Sequence, residues 1–447
     1  MKSLIDRASE VATVASRHSD EVDRDARFPH EAIRAMKEHR LLGIMIAREY
    51  GGEAATLQEI AEICTLLGQH CAASAMIFAM HQIKVGSLVT HGADTQWHRA
   101  YMQRLTTEQL LLGSATTENG TGGDLGNSVC AIERDGERFR LRKDATCISY
   151  GMHCDAILAT ARRARDAHAS DQVMVVLPKD SYTLQRTGEW NALGMRGTCS
   201  EGYIINAQGS NEQIFERPFA EIAEQSMLAM AHILWSALWY GIAVNAVSRA
   251  QSYVRAEARK KLGQHLPGAL RVAEAASMLQ LMKGSIDSSI YRFETARKRP
   301  EDLATMSFAI DINNLKIGTS RLCVDIVHHA MMVCGIMGYK NGTPYSLGRH
   351  LRDAMSAPIM INNDRIFGNT SNLLLVHRLD QRLPGEVCAL TAISEPSSSS
   401  VVSLSTQVST ASRPAAQCSN LSSTDSTTSS PPSAVATTRK SSASLRR

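Results

Sequence analysis

Apolar residues recur every three or four positions through the first part of the chain. In TLQEIAEICTLLGQHC (56–71) they fall at Leu57, Ile60, Cys64, Leu67 and Cys71, which is one stripe of a helix. FPHEAIRAMKEHRLLGI predicts an earlier helix with charged residues on its outer face. Between the two, YGGEAAT (50–56) is a glycine-rich break, and Thr56 with Glu59 forms a capping box for the helix that follows.

Near residue 113 the pattern changes to alternation. SVCAIERDGERFRLRKDA alternates on both sides of Asp135-Gly136, a strong hairpin signal. DAILATARR, QVMVVLP and EGYIINA read as further strands, so residues 113–215 are mostly β. Helical periodicity returns from 218 to 378, with long segments around 226–256, 268–297 and 301–334. The order α, β, α is segregated along the chain. It excludes doubly wound and barrel α/β folds and predicts a mainly α protein with a central β domain. The expected division is a helical domain over 1–112, a β domain over 113–217, a helical bundle over 218–385 and a tail over 386–447.

MLAMAHILWSALWYGIAVNAV (227–247) is apolar for almost the length that spans a bilayer. His232, Ser236 and Asn245 interrupt it and no basic flank marks a cytoplasmic side, so it reads as the central helix of a large bundle. No membrane association is expected. From Ser394 onward, 26 of 54 residues are Ser or Thr. Such a segment buries too little apolar surface to offset its ordering entropy and reads as disordered. Its composition admits a regulatory tail or an extension without a role; the second is the expectation.

Composition narrows the function only by exclusion. A net charge of +4, most of it in the tail, gives no reason to expect a nucleic-acid partner. Ten cysteines without a CxxC pair, and an N-terminus without an apolar signal core, fit reduced thiols in a cytoplasmic protein.

Seven short stretches carry a resemblance. ATTENGTGGDLGNS (115–128), DATCISYGMHCDAILAT (144–160) and WNALGMRGTCSEGYII (190–205) are similar, in order and spacing, to the β-domain signatures of the acyl-CoA dehydrogenase superfamily. REYGG (48–52), ARKKLG (258–263), CGIMGY (334–339) and RHLRDA (349–354) resemble that superfamily's helical-domain motifs. The resemblance covers about residues 1–380. It implies an N-terminal helical domain, a β-barrel-like middle domain and a C-terminal four-helix bundle, with FAD (or FMN as the alternative) between the last two. It also implies a homotetramer or homodimer, because the superfamily completes its cofactor site across subunits.

Carried onto this chain, the resemblance assigns cofactor contacts to Thr117, Gly122, Gly123, Ile148, Ser149, Arg259, Gly335, Gly338 and Thr370. The residue types suit those contacts, since glycine lets backbone approach a ring edge and arginine offers a fork of donors to a pyrophosphate. Departures stand at Asn119, Gly123 and Cys147, where the superfamily has Pro, Ser and Trp.

The expected reaction is α,β-desaturation of an acyl thioester on CoA or a carrier protein. It needs a carboxylate that reaches the α-carbon. The superfamily's usual Glu falls on Gly368 in IFGNTS, and a second branch's position falls in LAMAHILWS, where His232 is the nearest polar group. The remaining candidates for the base are Asp364, expected to be an exposed acid paired with Arg365 or Arg352, and His81 and His232, both on apolar helices. Asp353 reads as a local partner of an Arg. The longer path from RDA to IFGNTS resembles the superfamily's monooxygenase branch, which uses reduced flavin and O₂ and needs no such base. That branch is the first alternative; a catalytically silent scaffold is the second.

Overall fold

The structure, a computed structural model, describes residues 2–260 and 266–379. The Ser/Thr-rich tail and the end of the ARKKLG stretch lie outside the described residues. Five helices come first: α1 (Leu4–Arg24), α2 (His30–Glu38), α3 (Leu57–His70), α4 (Ala72–His91) and α5 (Gln96–Glu108). The expected capping box opens α3, with the Thr56 hydroxyl accepting from the Glu59 amide and the Glu59 carboxylate accepting from the Thr56 amide. A second box, Ser3 with Asp6, opens α1.

Seven strands follow: β1 (Leu112–Ala115), β2 (Glu133–Asp135), β3 (Arg138–Ala145), β4 (Ala156–Arg162), β5 (Gln172–Pro178), β6 (Tyr182–Arg186) and β7 (Tyr203–Ser210). They form a sheet ordered β1-β4-β5, with β1 parallel to β4, and an antiparallel sheet ordered β2-β3-β7-β6. The expected hairpin joins β2 to β3, with Asp135 opposite Arg138 and Gly136 at φ +57°. Alternation along β3 sends Arg138, Arg140 and Arg142 to solvent and Phe139, Leu141 and Lys143 inward. Lys143 is thereby buried, and Glu118, on the loop after β1, meets it at 3.3 Å. Glu118 also accepts from the Ser128 hydroxyl and the amides of Val129 and Cys130. Burial alone would raise its carboxyl; Lys143 and these donors outweigh that and hold it below the usual carboxylate range. The loop after β1 is therefore anchored at its base.

The remaining helices are α6 (Phe219–Ile222), α7 (Leu228–Lys260), α8 (Pro267–Ala296), α9 (Pro300–Leu303), α10 (Met306–Cys334), α11 (Ile336–Tyr339), α12 (Gly348–Ala354) and α13 (Asn363–Val376). A π-helical turn, Ala223–Met227, links α6 to α7. The long apolar stretch of α7 is a core helix, as expected. Two segments are long and apolar enough to cross a membrane by composition, Phe219–Lys260 and Ala72–His91, and their apolar windows are 83% and 89% buried inside the fold. Helix α10 runs parallel to α7: His232 meets Ile312, Ser236 meets Thr319, and the Cys323 thiol meets the Trp239 carbonyl. On another side α7 crosses α3 with almost no gap. A Cβ at Gly68 would lie 2.4 Å from the Leu238 carbonyl oxygen, and one at Gly241 2.2 Å from that of Thr65. The eight cysteines among the described residues are all free thiols.

The motif stretches interlock. Thr117 donates to the Cys147 carbonyl at 3.2 Å, joining the first signature to the second. Ser149, Ser200 and Thr198 form a hydroxyl chain, at 2.8 Å each, that ends on the Met195 carbonyl and joins the second to the third. The Met195 amide donates to Asp353 at 2.7 Å, and a Cβ at Gly194 would lie 2.0 Å from the Arg352 carbonyl oxygen. Arg352 in turn grips Asp23 of α1 with both terminal nitrogens. The sequence pairs Asp353 with an arginine; its hydrogen-bond partner is a backbone amide instead, and the neighbouring arginine reaches past it to α1.

This packing generates two predictions. Gly68→Ala should lower stability by about 2–3 kcal/mol in chemical denaturation, because the backbone clash exceeds the roughly 1 kcal/mol that alanine contributes as a helix former. Asp353 is buried, which pushes its carboxyl up to about 6. A raised folded-state value means the folded state holds the proton longer than the unfolded chain, so this contribution to stability falls as pH rises through the interval from about 4 to about 6. Asp353→Asn keeps the acceptor for Met195 and removes the charge. It should match the parent below about pH 4 and exceed its stability at neutral pH by on the order of 2 kcal/mol, read as Tm against pH.

Candidate active site

The loop after β1 carries Gly120, Gly122 and Gly123 at φ +92°, +60° and +80°. These are left-handed conformations that glycine adopts at little cost. A Cβ on Gly122 would meet nothing within 4 Å, so this backbone is uncovered. Thr117, Ile148 and Ser149 stand at its base.

INNDRIFGNTSN, expected as a loop, is the start of helix α13. Asn362 caps it by accepting from the Asp364 amide. Arg365, expected to pair with Asp364, instead donates to the carbonyls of Gly122 and Gly123. A Cβ on Gly123 would lie 2.6 Å from its guanidinium, so the superfamily's Ser would press on this arginine. Arg352 is committed to Asp23, and Asp364 is exposed with neither expected partner. Gly368 is exposed too, and a side chain there would meet open space.

Beneath α13 lies a residue that sequence reasoning passed over. Lys316 of α10 is buried, donates to the Ile361 carbonyl at 2.8 Å and the Asn363 side chain at 2.7 Å, and stands 5.9 Å from the Trp239 ring centre. Burial holds its ammonium down to about 8. Ile361 has φ +45°, an unfavourable conformation for a β-branched residue. The lysine holds that strained carbonyl and, through Asn363, the start of α13. Thr370, one turn deeper, is buried and accepts from Asn313 at 3.1 Å. A lysine inside an apolar repeat was the available signal.

The two histidine candidates differ. His81 accepts from the Leu112 amide on Nδ1 at 3.0 Å, and its Nε2 donates to the Leu42 carbonyl at 2.7 Å. Both nitrogens are used, and burial holds the ring down to about 4, so it is a neutral link between β1 and the N-terminal helices. His232 donates from Nδ1 to the Ile312 carbonyl at 3.1 Å, which leaves Nε2 as a buried lone pair without a partner. Burial brings this ring to about 4 as well. The indole nitrogens of Trp235 and Trp239, on the same face of α7, are also unpartnered.

Arg259, Gly335 and Gly338 are not brought to this place. Arg259 is exposed in the last turn of α7, Gly335 ends α10 with φ +52°, and Gly338 is buried against Cys334. Helix rise puts Gly335 about 33 Å along α10 from Asn313. These three lie at the opposite end of the two parallel helices.

An uncovered glycine backbone, hydroxyls at its base and leftover polar capacity in an apolar wall fit a flat ring with polar edges. Lys316→Met should loosen α13, costing about 2–3 kcal/mol and speeding amide exchange across 362–376.

Residues 3–109 match the family model of the acyl-CoA dehydrogenase N-terminal domain, and residues 221–361 that of its C-terminal domain. A short-chain specific acyl-CoA dehydrogenase of Clostridium acetobutylicum is 22% identical over 349 residues, 75% of this chain and 86% of that protein. Among solved structures, FMN-bound TdsC, a dibenzothiophene monooxygenase from a Paenibacillus species, superposes with a TM-score of 0.74 at 19% identity, covering 84% of this chain and 98% of that one. Butyryl-CoA dehydrogenase of Megasphaera elsdenii gives 0.69 at 17% identity, covering 83% and 97%. The chain belongs to the acyl-CoA dehydrogenase family of flavoprotein oxidoreductases.

Proposed function

We propose that this protein oxidises a small organic substrate with reduced flavin and O₂, as a monooxygenase of its family. The observation that carries the reading is Gly368: the family's usual proton-abstracting carboxylate is replaced by a residue without a side chain, on an open helix face. Asp364 is exposed at a helix start and His81 has no free nitrogen. His232 has one, but a ring held near 4 is a weak base at neutral pH, far from the match that efficient proton transfer wants. A bound flavin supplies the redox chemistry. Thr117, Gly122, Gly123, Ile148, Ser149 and Thr370 would hold it, while Arg259, Gly335 and Gly338 would serve a second copy's site in a homodimer or homotetramer.

The second reading is desaturation of an acyl thioester, favoured by the unpartnered Nε2 of His232. Anaerobic mixing of the flavin-loaded protein with a panel of acyl-CoAs separates the two. The proposal expects no bleaching of the oxidised flavin spectrum, and substrate-dependent O₂ uptake once reduced flavin is supplied. Bleaching by an acyl-CoA, abolished in His232→Gln, would establish desaturation instead.

A further inference from the structure

A cavity of about 340 Å³ opens between α1, the later half of α7, the segment before α12 and the first turn of α12. It is lined by Arg249, Arg349, His350, Asp20, Ser346 and Gly342, among others. Arg249 lies about 25 Å along α7 from His232, so this cavity is separate from the candidate active site.

Its charges do not balance. Arg249 is half-buried; it donates to the Asn245 side chain at 2.9 Å and the Ser346 carbonyl at 2.9 Å, and among the described residues it has no ion-pair partner. Arg349 keeps only 13% of its side chain exposed and donates through Nε alone, to Asp20 at 3.2 Å. Asp20 is itself 88% exposed, a solvated acid at the rim. Behind the arginines, buried His350 donates from Nε2 to Asn245 at 2.8 Å, and its Nδ1 has no partner. Two sheltered guanidiniums with spare donors, against one solvated carboxylate, make a receptor for an anion.

Shape narrows the class. A planar carboxylate is saturated by one arginine fork, whereas a tetrahedral phosphate presents oxygens to two forks at once. Here the forks come from different helices. The cavity has room for about ten waters, more than a bare phosphate fills. We propose that it binds a phosphomonoester, with the phosphate between Arg249 and Arg349 and the ester group in the remaining space. This does not rest on the flavin reading.

The test is calorimetric titration of the full-length protein, as purified, with glycerol 3-phosphate, inorganic phosphate and acetate at matched ionic strength. Saturable binding of the ester is expected, weaker binding of inorganic phosphate, and none of acetate. Arg249→Gln and Arg349→Gln should each weaken the ester at least tenfold. Asp20→Asn, at an exposed side chain, should tighten it several-fold, which a folding defect would not do. No saturable binding, acetate binding as well as phosphate, inorganic phosphate binding as tightly as the ester, or variants that leave the affinity unchanged would each overturn the proposal.

Discussion

Helix α7 is apolar on every side, and the fold depends on covering all of it. No single neighbouring segment can do that. The N-terminal region contributes α3, pressed so close that glycine is required at both Gly68 and Gly241. The C-terminal region contributes α10 in parallel, tied by Ser236 and Thr319 at 2.7 Å. With α7 enclosed, its few polar groups are drawn into the interior, where each needs a partner or stays costly. His232 and the two tryptophans are the places where that need is only partly met.

The same constraint explains why the motifs are spread along the chain yet act together. A threonine, a run of hydroxyls, one buried carboxylate and one arginine lead from the loop after β1 through the Met195 turn to α12 and back to α1. Most of what makes these stretches recognisable is this mutual bracing. Residues that stand beside a cofactor in such a family are few; residues that hold those few in place are many.

Local signals in the sequence are therefore reliable and distant ones are not. The Thr56–Glu59 box, the Asp135-Gly136 turn and the apolar core helix each depend on neighbours within a few residues, and each is found as expected. The short strands β1 and β6 are not legible because a few residues carry little periodicity. Side-chain partners are hidden for a different reason. Proximity in sequence pairs Arg365 with the nearest acid, yet it finds two carbonyls more than 240 positions away. Proximity likewise pairs Asp353 with an adjacent arginine, yet it holds an amide from the β region. Hydrogen-bonding need is visible in a sequence; the fold decides which group meets it.

Gly368 also bears on backbone entropy. It sits within α13, exposed, where alanine would fit freely and strengthen the helix by up to about 1 kcal/mol. Glycine there gives up helix stability without relieving any clash. The turn around it is thus the most easily unwound part of α13, between a first turn pinned by Lys316 and a later one held by Thr370. Local opening of the helix should begin in that turn, beside the glycine loop that Arg365 covers.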